Sequence, residues 1–117
     1  MSEESNEYDA TIFNNLVGKK VIIRDNLAGV YVGTLVEVRT SGVVLGGGPR
    51  QIHYWAKGGS VAQIAVGGIG GSDSRVTAPI QAGEGYAFQA PNIAQIIAMA
   101  DIAYERVMEF PAWTGGM

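Results

Sequence analysis

Residues 50 to 57 concentrate the side chains of this sequence that could recognise a ligand. A guanidinium, an imidazole, a phenol, an indole and an ammonium occur together there, on Arg50, His53, Tyr54, Trp55 and Lys57. Arginine and lysine bind anionic oxygens, and flat aromatic faces stack on nucleobases. The stretch therefore indicates a site for a phosphate and a base. A strand with half-buried aromatic rings and solvated cations at its ends fits the same residues equally well.

The elements that precede this stretch form a β-rich pattern. Asp9 is a suitable cap for a short helix over residues 9–16, whose apolar face is assigned to Ile12, Phe13 and Leu16. Strands are predicted at 20–24, 29–38 and 43–45, separated by turns. The alternation in the second strand predicts that Val30, Val32, Thr34, Val36 and Val38 share one face.

The later elements are less regular. Residues 46–49 are expected to be a flexible run, and Ser60 is a suitable cap for a short apolar helix over 60–66. The glycines that follow favour turns over a nucleotide cradle, because no GxxxxGK[ST] or GxGxxG motif follows a strand. Pro111 stops the last helix, and Trp113 is expected to fold back onto the body or a partner. The remaining predicted elements are strands at 75–80, 86–88 and 93–97, with a helix over 92–99 as the alternative to the last, and a helix over 101–110.

The first half of this pattern resembles a small SH3-like or Sm-like barrel, because a long strand with a central Gly33 permits sharp curvature. The predicted fold class is α+β, mainly β. It consists of a small SH3-like or Sm-like curved antiparallel sheet or partial barrel, with a short middle helix and a C-terminal helix. Barrels of this kind host many functions, so the resemblance alone does not indicate one.

Length and composition limit the function classes. The 117 residues are expected to form a single domain, 1–117, with an acidic tail at 1–8 and a short tail at 114–117. Net charge is −3, but four of the eleven acidic residues lie within the first ten, so the remainder is near neutral. This argues against duplex nucleic acid as a partner. With no cysteine and only one histidine, we expect no metal or other cofactor. The sequence contains neither a leader nor a long apolar run, so we expect a soluble intracellular protein without membrane contact. A charged content of only 16% suggests an oligomer.

The sequence offers little equipment for catalysis. The carboxylates beyond the first ten residues are scattered over turns, a strand and the last helix, and none has motif spacing. His53 is the only natural general base near neutral pH, and no GxSxG or HExxH motif surrounds it. A lone histidine beside aromatic residues is more often a packing residue. These features favour binding without turnover, so we do not expect an enzyme.

The central stretch and its flanks resemble a family of small tailed-phage proteins, the first type of Thoeris anti-defence proteins. The likeness covers about residues 18 to 113. Gln51 and His53 depart from the family pattern, which has a second arginine and an aromatic residue there. The residues that carry the likeness are Arg50, Ile52, Tyr54, Trp55, Gly58, Gly59, Ser60, Val61, Ala62, Gln63, Ile64, Ala65 and Gly68, with Arg24, Ala28, Gly29, Val30, Gly33, Val44, Leu45, Arg75, Val76, the closing helix and Trp113 outside the stretch.

The resemblance implies a phage-encoded sponge in the host bacterial cytoplasm. Such proteins bind cyclic ADP-ribose-type immune signals without cleaving them, related sites take cyclic oligonucleotides, and pockets are shared between subunits of a homo-oligomer, here a dimer or a hexamer. It further implies that the arginines contact phosphates, that Tyr54 or Trp55 stacks on a base or closes the pocket, and that Ser60 and Gln63 satisfy polar edges or hold the arginines. Arg50 is then expected to be exposed and to contribute little to folding. The implied ligand-binding residues are Arg24, Arg50, His53, Tyr54, Trp55, Ser60, Gln63 and Arg75.

Two other functions fit the sequence. A phage structural, virion or interaction protein agrees with the low charge, the many glycines and the C-terminal Trp113. A single-stranded RNA-binding module agrees with the Sm-like start and with arginine beside aromatic residues. The near-neutral charge of the chain beyond its first ten residues argues against RNA, because RNA binding depends on positive charge.

Overall fold

The computed structural model of the chain describes residues 9–55, 60–70, 74–79 and 86–113, with the exception of the Tyr54 side chain. The predictions for both tails and for Lys57, Gly58 and Gly59 lie outside these residues. The elements in chain order are a 3-10 helix (Ala10–Leu16), β1 (Lys20–Asp25), β2 (Gly29–Arg39), β3 (Gly42–Tyr54), α1 (Val61–Gly67), β4 (Arg75–Val76), β5 (Tyr86–Gln89), a 3-10 turn (Ala90–Asn92), β6 (Ile93–Ala98) and α2 (Asp101–Met108).

These strands form one antiparallel sheet. The hydrogen-bonded order is β4-β3-β2-β1-β6, and β5 pairs with the first part of β3. The α+β, mainly β class predicted from the sequence is confirmed, with an open sheet, a short helix in the middle of the chain and a second helix near its end. Residues 93–98 are a strand, as predicted, rather than the alternative helix.

Both faces of the sheet are covered by apolar side chains. In β1, Val21 and Ile23 point to one face and Ile22 to the other, and all three are fully buried. We call the two clusters the helix-side core and the aromatic-side core. The helix-side core includes Ile22, Val30, Val32, Ile52, Ile64, Val76, Ala103 and Val107, and the aromatic-side core includes Ala10, Val21, Ile23, Tyr31, Leu35, Val43, Leu45 and Phe88.

The first helix has the predicted range and cap but a different helical type. The Asp9 carboxylate accepts a hydrogen bond from the Thr11 N–H at 2.9 Å, which lowers the pKa of Asp9 below its usual 3.8. A 3-10 helix has three residues per turn, so residues three apart share a face. Ala10, Phe13 and Leu16 therefore pack on the aromatic-side core. The assignment of Ile12 to the apolar face is wrong, since its side chain is 79% exposed.

Two irregularities in the pairing of β2 with β3 change the predicted faces. A register shift between Leu35 and Glu37 moves Val38 to the aromatic-side core, although alternation predicted that it would share a face with Val30. The run 46–49 is part of β3 rather than a flexible connection. Gly47 and Gly48 have positive φ angles of 75° and 70°, which a side chain would disfavour, and they accommodate a second register shift.

Several later elements are shorter than predicted. The strand expected at 75–80 is paired only at Arg75 and Val76, and α2 ends at Met108 rather than at residue 110. Trp113 folds back onto the body, as predicted. Its main-chain N–H donates to the Val76 carbonyl at 2.8 Å. No helix within the described residues is long and apolar enough to cross a membrane.

Candidate functional site

Arg50 is a buried residue that holds the end of α2, and the expectation that it is exposed is wrong. Its side chain is only 2% exposed. Nε donates to the Thr77 carbonyl at 2.6 Å. Nη1 donates to the carbonyls of Val107 and Met108, both at 2.9 Å, and of Phe110 at 2.7 Å. The last carbonyls of a helix lack partners within the helix and form the negative end of its dipole, so a cation is stabilising there.

The buried guanidinium is charged even though burial lowers the pKa of Arg50. Its Nε and Nη1 groups donate to main-chain oxygens, so both are occupied in this conformation. Arg50 therefore ties β3 to the C-terminal segment that carries Trp113. A direct phosphate contact by Arg50 would require the end of α2 to give up these hydrogen bonds.

The C-terminal segment brings three separated side chains together at the surface. The rings of His53 and Trp113 are stacked, with centroids 4.9 Å apart and planes 16° from parallel. The guanidinium carbon of Arg75 lies 5.1 Å from the centroid of the Trp113 ring, which is a cation–π contact. His53 and Arg75 are exposed, and Trp113 is half-buried. We call this group the His53–Trp113–Arg75 stack.

Main-chain and side-chain hydrogen bonds hold the strands beneath this stack. The Gln51 N–H donates to the Thr77 hydroxyl at 3.0 Å, and the Thr77 N–H donates to the Gln51 carbonyl at 2.9 Å. The Gln51 side-chain amide donates to the Ala28 carbonyl at 3.2 Å. Ala112 pairs with Val76 in a parallel bridge, which fixes the approach of Trp113.

Ser60 and Gln63 form the N-terminal cap of α1. The Ser60 hydroxyl accepts from the Gln63 N–H at 3.3 Å, and the Gln63 side-chain oxygen accepts from the Ser60 N–H at 2.8 Å. This reciprocal pair is a capping box, and the role of Ser60 as a cap is confirmed. Both side chains are exposed. Their local hydrogen bonds account for their residue types without a ligand.

The predicted arginines do not converge within the chain. Ile52 and Val76 point into the helix-side core, so their neighbours His53 and Arg75 lie on the opposite face. Arg24 shares a face with Ile22, two residues before it, and is exposed opposite Gln95. Arg24 and Arg75 are therefore on opposite faces of the sheet, and Arg50 lies inside. Trp55 is partly buried against the helix-side core, and the Tyr54 side chain lies outside the described residues.

Two concave regions lie elsewhere on the chain, and neither includes a predicted site residue. An open groove of about 950 Å³ lies at the turn between β2 and β3, beside β5. A smaller pocket of about 300 Å³ lies between the β1–β2 turn and β5. Its lining includes Asp25, Tyr31, Tyr86, Phe88 and Asn92.

Sequence reasoning missed this smaller pocket. Asp25 lies between the strands predicted at 20–24 and 29–38, where the sequence indicates only a turn. The pocket forms because β3 pairs with β2 on one side and with β5 on the other. The described residues hold no group of three or more His, Cys, Asp or Glu side chains arranged to bind a metal ion.

A family comparison covers most of this structure. A family model described as a domain of unknown function, DUF6948, matches residues 18–107, from just before β1 almost to the end of α2. The chain belongs to the DUF6948 family. Comparisons with curated proteins and with solved structures gave no match. The match to DUF6948 ends before Trp113, so one member of the stack lies outside the matched region.

Proposed function

We propose that the protein binds a small cyclic nucleotide and holds it without cleaving it. The resemblance to Thoeris anti-defence proteins implies this role: a phage-encoded sponge acting in the host cytoplasm on a bacterial immune signal of the cyclic ADP-ribose type, or on a cyclic oligonucleotide. The observation that supports binding is the His53–Trp113–Arg75 stack at the surface. It combines flat rings with a guanidinium on one surface.

The stack suits a ligand that carries both a base and a phosphate. A base can extend a column of stacked rings, and each such contact contributes about 1–3 kcal/mol. A guanidinium provides directed donors for phosphate oxygens, often two at once. The contact with Trp113 also restricts Arg75, so less side-chain entropy is lost when a phosphate binds. A protein that only retains its ligand needs no nucleophile or general base beside the stack.

A second subunit would complete such a site. Large apolar side chains are exposed at several positions, among them Ile12 at 79%, Leu27 at 80% and Val66 at 71%. Covering these side chains with a neighbouring copy would remove apolar area from water, which is favourable. We therefore propose a homo-oligomer, a dimer or a hexamer, in which a neighbouring copy supplies further walls of the pocket. The same exposure favours a second candidate function, that of a phage structural or interaction protein.

Calorimetry tests the proposal directly. Cyclic ADP-ribose isomers and cyclic di- and trinucleotides are titrated into the native chain, and the ligand is recovered after denaturation and identified by mass spectrometry. We expect binding well below millimolar and intact ligand. Trp113→Ala should weaken binding by about 5-fold to 150-fold, the equivalent of one lost stacking contact. Arg75→Ala should weaken it as well, whereas Arg39→Ala, an exposed arginine paired with Glu37, is the matched control.

Each alternative function predicts a different experimental result. If no nucleotide binds more tightly than millimolar, or if the two stack variants bind as the native chain does, the sponge proposal is wrong. Cleaved ligand would indicate an enzyme. Detection of the protein in purified virions would favour the structural role. Binding to single-stranded RNA with a steep dependence on salt would favour the RNA-binding module.

A further inference from the structure

The smaller pocket has three aromatic walls. The Tyr31 ring lies edge-on to Tyr86, with centroids 4.7 Å apart, and to Phe88, with centroids 5.2 Å apart; both interplanar angles are 67°. The pocket volume of about 300 Å³ is at the lower end of the range for small-molecule sites. It therefore admits a single ring system rather than a whole dinucleotide.

Two buried residues that line this pocket, Asp25 and Tyr31, carry polar groups with hydrogen-bonding capacity left over. Asp25 is 6% exposed, and its Oδ1 accepts from the N–H groups of Leu27 at 2.9 Å and Ala28 at 2.8 Å. Its Oδ2 accepts no hydrogen bond from any described residue. Tyr31 is 8% exposed, and its hydroxyl likewise makes no hydrogen bond within the described part of the chain. Buried polar groups are nearly always paired, so an open acceptor beside aromatic walls indicates a ligand that donates.

The pocket and the His53–Trp113–Arg75 stack share one face of the sheet. Tyr31 pairs directly with Gln51 in the β2–β3 ladder, and His53 follows Gln51 by two residues. The Gln51 amide also donates to Ala28, which lines the pocket. A carboxylate repels phosphate, so Asp25 suits the base of a nucleotide and Arg75 suits its phosphate.

We propose that this pocket is a base subsite that takes a purine carrying an N–H donor on its ring edge. The donor bonds to Asp25 Oδ2, and the rings of Tyr31 and Tyr86 hold the purine plane. This inference rests on the proposed function, because it assigns the base end of the same ligand. It adds a specificity: an amino-bearing purine such as adenine is bound in preference to unsubstituted purine.

The test compares two nucleosides that differ only in that donor. Adenosine and purine riboside have the same ring, but purine riboside lacks the amino group. Each is titrated into the native chain, and binding is followed by the NMR signals of the tyrosine and phenylalanine rings. We expect adenosine to bind on the order of tenfold more tightly, because hydrogen bonds to charged groups are among the stronger ones. The largest shifts should occur at Tyr31, Tyr86 and Phe88.

Asp25→Asn is the matched variant. Its side-chain oxygen can still accept from Leu27 and Ala28, which retains the turn, while the other atom becomes a donor. Adenosine should then lose its advantage, and purine riboside, whose ring nitrogens accept, should bind at least as well. Equal binding of the two nucleosides by the native chain, or no change in their ratio in Asp25→Asn, would overturn the inference. If the variant does not fold, the native comparison still decides it.

The two proposals can fail separately. Nucleotide binding that depends on Arg75 and Trp113, with no preference between the nucleosides, would refute the base subsite alone. A preference for adenosine over purine riboside at Tyr31, with no nucleotide binding more tightly than the nucleoside, would refute the proposed function alone.

Discussion

Replacing Arg50 is the sharpest test of how this fold is held together. The sequence predicted an exposed residue that binds phosphate, whereas the structure shows a buried residue that holds the end of α2. An exposed arginine whose only role is to bind phosphate could be replaced with little effect on stability, a change of about 0.5 kcal/mol or less in the free energy of unfolding. The buried guanidinium instead bonds to four carbonyl oxygens that belong to the ends of two separate segments. Replacing Arg50 should therefore release the C-terminal end of α2 and the segment that follows it.

The size of the effect follows from which acceptors lose their partner. The Val107 carbonyl keeps a donor, since the Phe110 N–H bonds to it at 3.2 Å. The carbonyls of Thr77, Met108 and Phe110 retain no donor among the described residues. Each partly buried acceptor left unpaired costs about 1–3 kcal/mol, and such costs are not additive. We expect Arg50→Met, which keeps most of the side-chain volume, to lower the free energy of unfolding by about 3–5 kcal/mol.

Urea unfolding followed by circular dichroism measures this loss. A stability of about 5–15 kcal/mol is usual for a domain, so the variant should be close to unfolding or strongly destabilised. The melting temperature should fall by about 10–20 °C. Arg39→Ala, which removes an exposed arginine, is the control and should change stability by less than about 0.5 kcal/mol. A loss below about 1 kcal/mol in Arg50→Met would refute the assignment of Arg50 as a helix anchor.

Three further predictions concern stability and pH. Burial, with Tyr86 and Asp25 nearby, raises the pKa of Tyr31 above its usual 10.0. The stability that the neutral phenol contributes is therefore fully present below pH 10.0 and is lost as pH rises through the folded-state pKa. Urea unfolding measured across this pH range should show a smaller loss of stability in Tyr31→Phe than in the native chain. A Cβ added at Gly42 would lie 2.1 Å from the Phe88 carbonyl oxygen, so Gly42→Ala should lower the free energy of unfolding by at least about 2 kcal/mol. A Cβ added at Gly67 meets no heavy atom within 4 Å, so Gly67→Ala should raise the free energy of unfolding by about 0.5 kcal/mol in the same assay. Ser60→Ala should cost about 1 kcal/mol and leave nucleotide affinity unchanged in calorimetry; a loss of affinity at unchanged stability would instead support a ligand contact.

Local interactions explain why many elements could be predicted. The Asp9 and Ser60 caps bond to groups two and three residues away, so the sequence around each cap already contains both partners. A short run of β-favouring apolar residues predicted β1, and alternation along residues 29–38 predicted β2, because neighbouring strand residues point to opposite faces of the sheet. The 3-10 helix and the bulges escaped prediction, since both change the local period and depend on packing against neighbouring strands.

The candidate site depended on contacts that no local pattern encodes. Composition and local spacing were sufficient to predict the α+β, mainly β class, the helix caps and the residue types available for binding. The tertiary structure decided their roles: the acceptors of Arg50 lie 27 to 60 positions away, and His53, Arg75 and Trp113 meet only after β4 and the C-terminal segment pair. The physical reason is that burial and hydrogen-bond partners are properties of the assembled sheet. An arginine that a linear pattern assigns to a phosphate can thus belong to the interior.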